Sequence, residues 1–139
     1  MVLSLPQLHV LLDSASLMIY HSPEHNYLLA EWRGHHDSES ARLGCQRLLQ
    51  EVYKTGSKRL LNDSSEVFGE WKELAAWIGA TFIPQLQQAG IEAIAWVNAM
   101  DWPARSCVAS SVHHTPHPVV TIFDFDQLEE ARHWLQAGS

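Results

Sequence analysis

Basic residues are scarce in this chain. Nine lysines and arginines stand against sixteen aspartates and glutamates, for a formal charge of -7. Such a surface repels a phosphate backbone and has no surplus of cations with which to release its counterions, so neither nucleic acid nor anionic membrane is an expected partner. Cysteine is scarcer still. Cys45 and Cys107 both fall in helical patterns and lack CxxC spacing, so they read as small core residues of a cytoplasmic protein in a reducing compartment. Their spacing neither requires nor forbids a disulfide. Long apolar runs are missing too: the longest, Leu74 to Ile83, is about half of the roughly 20 residues that span a bilayer. The opening residues carry no positive side chain ahead of their apolar positions and place Pro6 early, which makes a poor secretory leader. There are no repeats or low-complexity tracts.

Several signatures of chemistry are absent as well. Neither GxGxxG nor GxxxxGK[ST] occurs to cradle phosphates, and neither HExxH nor HxH occurs to hold a metal. His35-His36-Asp37 and His113-His114 with His117 are the only histidine groupings, and adjacent histidines diverge on a strand, so no metal and no cofactor is expected. A serine nucleophile would need an elbow such as GxSxG, and Asp63-Ser64-Ser65-Glu66 has no glycine to permit that turn.

What is present suits one core. With 139 residues, 46% of them hydrophobic, and no linker-like stretch, residues 1–139 read as a single domain. The organising stretch runs from Lys58 to Ile78, a short apolar strand at Arg59 to Asn62, then a polar loop and an amphipathic helix. Leu60 and Leu61 suit an inner strand buried on both faces. Ahead of it, Leu17 to His21 and Tyr27 to Arg33 form a hairpin across a turn containing Pro23 and Asn26. Residues 1–16 read as an N-terminal arm or, over Leu8 to Leu12, an extra edge strand. Asp37 caps a helix with Ala41, Cys45, Leu48, Leu49 and Val52 on one stripe, and Gly56 ends it.

The helix after the central strand carries Trp71, Leu74, Ala75, Ile78 and Phe82 on one stripe. Pro84 kinks or restarts it, and Gly90 ends it. Ile91 to Val97 is another strand, Asp101 and Pro103 open a short helix, and Val119 to Phe123 is the last strand. Asp126 and Glu129 are spaced as a capping box for a closing helix with Leu128, Ala131, Trp134 and Leu135 on its apolar face. The predicted class is α/β, in the order β-β-α-β-α-β-α-β-α, with a mixed sheet of about five strands, the first antiparallel, and four main helices.

Open sheets of this kind bind ligands at the carboxyl edge. Four loops gather there: Gly34 to Asp37, Asp63 to Glu66, Asn98 to Trp102, and Asp124 to Asp126. The candidate ligand- or partner-binding residues are His35, Asp63, Ser64, Trp71, Asn98 and Trp102. Asp37, Asp101 and Asp126 are already accounted for as caps. Trp77, Trp96 and Trp134 sit in apolar patterns and are expected in the core, whereas Trp71 and Trp102 stand at element ends, where an indole can close a pocket or anchor a partner. Ser64 is a candidate phosphorylation site, although phosphate there would lie beside Asp63 and Glu66 unless Lys58 or Arg59 compensates.

Certain residues also resemble the bacterial SpoIIAA-like branch of STAS domains, grouped by fold with the lipid-binding CRAL-TRIO domains. They are Glu31-Trp32 within the Tyr27 to Gly34 strand, Gly56 ahead of Leu60-Leu61-Asn62-Asp63, Trp77 with Phe82 and Pro84, Gly90, and the closing run from Phe125 to Leu135. The resemblance covers roughly Leu17 to Leu135 and implies a STAS-like fold. The best-known STAS domains antagonise anti-sigma factors and are switched by phosphorylation of a serine at the start of the helix after the central strand. Asp63-Ser64-Ser65 looks like that motif but directly follows the strand, and Phe68-Gly69-Glu70-Trp71 at the expected helix start has no serine, so the switch does not carry over. The resulting expectation is a non-enzymatic, cytoplasmic binding or regulatory module, acting through a protein partner or small apolar ligand at the carboxyl edge. An alternative is a carrier of lipid or another hydrophobic ligand in a cavity lined by Phe82, Leu86, Trp96 and Val112. A third is a hydrolase using the His35 and Asp63 edge. A sheet edge or the tryptophan-bearing surface offers a route to a homodimer.

Overall fold

The computed structural model of the protein describes residues 8–113 and 119–137. The linker from His114 to Pro118 and the Gly138 stop lie outside those residues. Six strands and five α-helices follow the predicted alternation: β1 (His9–Asp13), β2 (Leu17–Ser22), β3 (Tyr27–His35), α1 (Ser38–Thr55), β4 (Arg59–Phe68), α2 (Lys72–Trp77), α3 (Ile83–Gln88), β5 (Ala93–Val97), α4 (Trp102–His113), β6 (Val120–Phe123) and α5 (Leu128–Ala137). The sheet has six strands rather than about five, because the segment around Leu8 to Leu12 pairs antiparallel with β2 as an edge strand. The β2–β3 hairpin is antiparallel and β3 to β6 run parallel, in the sequential order β1-β2-β3-β4-β5-β6.

That order determines where the helices go. Right-handed crossovers between successive neighbouring strands all fall on one face of the sheet. Leu28, Ala30, Trp32, Leu60, Ile94 and Trp96 accordingly share a core with Cys45, Leu48, Leu74, Phe82, Ile83 and Cys107 of the crossover helices. Among the described residues only α5 covers the other face, where Ala131 and Leu135 meet Tyr27, Leu29, Leu61, Ala95 and Val97. Both cysteine thiols are free and buried.

The caps show how the local sequence sets the boundaries. Asp37 accepts from Ser40 N at 2.9 Å while the Ser40 hydroxyl receives Asp37 N at 3.1 Å, a reciprocal box at the start of α1. Gly56 ends α1 in the left-handed region, φ 65°. Asp101 Oδ2 receives Gly69 N at 3.1 Å and Ala104 N at 3.3 Å, so it caps α4 and pins the end of β4. At α5 the capping differs from expectation. Gln127, not Asp126, occupies the position before Leu128, and its Oε1 accepts from Asp124 N at 2.7 Å.

Three further differences bear on the site. Asp63 to Glu66 is not a loop, since β4 runs on through it to Phe68 beside the carboxyl half of β3. The next helix begins at Lys72, with Trp71 as its flanking residue, rather than at Glu70-Trp71. Trp134 is 40% exposed and rests against Phe123 instead of lying in the core.

Candidate functional site

On the helix-covered face, toward the carboxyl ends of β3, β4 and β5, the core does not close completely. The gap holds about 550 Å³ free of atoms, counted out into the open solvent at its mouth. Strand alternation builds one wall: Trp32 on β3, Asn62 and Ser64 on β4 and Trp96 on β5 all face the helices. The crossover from β4 to β5 builds the other with Trp71, Ile78, Phe82, Ile83 and Leu86, while Ala41 and Cys45 of α1 close one side.

Pro84 helps to shape that crossover. It has no N–H to donate, and in a regular α-helix its ring would meet the carbonyl four residues back, at Ala80. The chain passes through a widened π turn at Ile78–Phe82 and resumes as α3 with Pro84 in its first turn. Such turns recur near functional sites.

Several polar atoms of the walls are engaged with one another. Trp32 Nε1 donates to Asn62 Oδ1 at 2.6 Å, and Trp96 Nε1 donates to Ser64 Oγ at 2.9 Å. His36, buried at the cavity edge, donates from Nε2 to the Ser16 carbonyl at 3.2 Å and meets Ser40 Oγ through Nδ1 at 3.0 Å. Trp71 stacks over Trp96, with ring centroids 6.5 Å apart and planes 9° apart. Its own Nε1 is buried and has no hydrogen-bond partner.

Two of the six candidate residues, Ser64 and Trp71, therefore meet in this cavity. Trp71, at 5% exposed, is buried despite its place at a helix end, whereas Trp102 is 75% exposed. Asp63 belongs to the opposite face of β4, its Oδ1 held by Ser65 N at 3.0 Å. His35 is exposed, with its ring edge against Phe68. The β3–β4 register pairs Asp63 with Glu31 and His35 with Phe68, which separates His35 from Asp63 by about four strand residues, roughly 13 Å. They form no pair for hydrolysis. Asn98 Oδ1 is occupied by Ala99 N at 2.9 Å. Phe82, Leu86 and Trp96 line the cavity as the carrier alternative expects, but Val112 does not.

Ionisable groups with displaced pKa values are dispersed, and each has a local cause. The Ser40 backbone N–H holds the Asp37 carboxyl below its usual range, and Arg105, 2.7 Å from Asp124, does the same for that carboxyl. Burial raises the Cys45 and Cys107 thiols and lowers His21. Among the described residues no group of three or more His, Cys, Asp or Glu is placed to hold a metal, and no helix is long and apolar enough to cross a membrane.

The family model for SpoIIAA-like proteins matches residues 27–136, from the start of β3 into the last turn of α5. This chain belongs to the SpoIIAA-like family. The family lies in the STAS superfamily, a kinship that suggests a regulatory or binding module. Searches of curated proteins and of solved structures found no match. In this SpoIIAA-like chain the matched span holds every described residue of the cavity wall, including Trp32, Ser64, Trp71 and Trp96.

Sequence reasoning missed Trp32, His36 and Asn62 as wall residues. The available signal was period-2 alternation. With Leu60 facing the helices, Asn62 and Ser64 follow on the same face, and indoles are the natural buried partners for their oxygens.

Proposed function

We propose that the protein binds a small apolar molecule in the tryptophan-walled cavity at the carboxyl end of the sheet and acts as a cytoplasmic, non-enzymatic binding module. One observation supports this above all: the cavity is almost wholly apolar, with its wall oxygens already committed to indole N–H groups. An apolar space of this kind stays dry and accepts compact hydrophobic guests. Its enclosed part is small, so it suits a compact ligand; a long acyl chain would require the helix layer to move. Native mass spectrometry of the purified protein is the test. A small organic species retained under gentle conditions and lost on denaturation supports the proposal. A bare protein whose melting temperature also ignores small apolar probes overturns it.

A second reading, a protein partner at the same edge, has its own support. Phe68, Met100, Trp102 and Phe125 expose large apolar side chains at or beyond the ends of β4, β5 and β6. Beside Phe68 a cleft is lined by Asp37, Glu39, Glu70 and Glu73, with Lys72 among them. A partner segment with an apolar anchor and basic flanks suits that rim better than a second copy of this acidic chain. Sedimentation of the protein alone tests the homodimer, and an apolar basic peptide tests the partner.

A further inference from the structure

Taking the cavity as the ligand site, as proposed above, we infer that Trp71 is its specificity-determining residue, and that the ligand carries one uncharged oxygen acceptor, as in a small ketone, aldehyde or ester, which receives the Trp71 indole N–H. A buried N–H without a partner loses its bond to water and gains nothing in return, so it is seldom left that way. Trp71 Nε1 is the one buried side-chain nitrogen or oxygen among the described wall residues that has no partner.

Water answers this donor poorly. A buried water needs two to four polar partners. Here Asn62 Oδ1 already accepts from Trp32, Ser64 Oγ already accepts from Trp96, and both nitrogens of His36 are engaged, so a water would have to share wall atoms that already hold a bond. An acceptor fixed to an apolar body satisfies the one donor while its carbon skeleton covers the remaining apolar wall. Charge is selected against. No lysine or arginine is among the described lining residues, so a carboxylate would enter without a counter-ion and carry its full desolvation cost. The stacking of Trp71 on Trp96, and the hydrogen bond from Trp96 to Ser64, hold the donor in place.

The test is a ¹H–¹⁵N spectrum of the indole N–H groups, recorded with 2-hexanone, pentane and hexanoate in turn. Six tryptophans give six indole signals at most, and the one missing in Trp71→Phe belongs to Trp71. Should that variant fail to fold, through-space contacts from the Trp71 ring to Trp96 assign the signal in the unsubstituted protein. The expected result is a saturable downfield shift of the Trp71 signal with 2-hexanone. Its affinity should exceed that of pentane by roughly three- to tenfold, the worth of one net hydrogen bond, and hexanoate should leave the signal unmoved. Equal affinity for 2-hexanone and pentane, with cavity signals shifted and Trp71 unmoved, overturns the role of Trp71 and leaves the cavity as a ligand site. No response of any cavity signal to either neutral probe overturns the cavity proposal itself.

Discussion

Replacing Gly44 with alanine should destabilise the protein although it improves a helix. Gly44 lies inside α1, where alanine in place of glycine ordinarily gains about 1 kcal/mol. A Cβ at this position would meet Trp32 Cζ3 and lie 2.5 Å from Trp32 Cη2 and 3.2 Å from Leu17 Cδ2. Trp32 has little room to yield: it is buried, its Nε1 is tied to Asn62 at 2.6 Å, and its ring abuts His36. Overpacking of this kind costs about 1–3 kcal/mol, and losing the indole bond adds about 1 kcal/mol. After the helix gain is subtracted, a net loss of about 1–3 kcal/mol is expected, read as a lower urea midpoint at unchanged slope. The direction of escape is informative. Trp32 lines the cavity, so displacement by the new methyl should narrow it and weaken ligand binding. In a Trp32→Phe background the same change should become neutral or stabilising, a coupling that a double-mutant cycle reads directly. A Gly44→Ala protein as stable as the parent, with the Trp32 indole signal unmoved, would refute the close approach of α1 to β3.

Other consequences are simpler. Ser64→Ala leaves the buried Trp96 N–H without its acceptor and should cost about 1–3 kcal/mol in chemical denaturation. Trp102→Ala should change stability by less than about 0.5 kcal/mol because the side chain is exposed, while lowering any affinity for an apolar basic peptide. Asp124, paired with Arg105, has its folded pKa held below the ordinary 3.8. Its contribution to stability is therefore present above about pH 4 and lost as pH falls through the folded value, so Asp124→Asn should flatten the acid limb of a stability-versus-pH curve.

The alternation of strands and helices was legible because its signals are local. Leu60-Leu61 and Ile94 to Val97 are apolar runs of inner strands, and Asp37 and Gly56 mark the limits of α1. The polar half of β4 was not legible, because what holds it in the sheet is distant in sequence. Ser64 is matched by an indole 32 residues later, and Asn62 by one 30 residues earlier. Without those partners Asp63-Ser64-Ser65-Glu66 has the composition of a loop. The same non-locality hid the cavity: Trp71 stands at an element end, where exposure is the usual expectation, yet Trp96 covers it. Trp134 erred the other way, because a lone helix on its face of the sheet buries a narrower stripe than the sequence pattern marks out. Of the candidate edge residues, Ser64 and Trp71 converge, and His35, Asp63, Asn98 and Trp102 stand apart from them.

The central claim is that the space between Trp32, Trp71 and Trp96 is a dry apolar site open to a guest. Diffraction from crystals held under xenon pressure tests it most directly, because xenon enters empty apolar cavities and forms no hydrogen bonds. The account predicts a xenon site among those three indoles that disappears in Ala41→Leu, where the added side chain fills the space. Ordered water at that position with no xenon, or a xenon site that persists unchanged in Ala41→Leu, would contradict it.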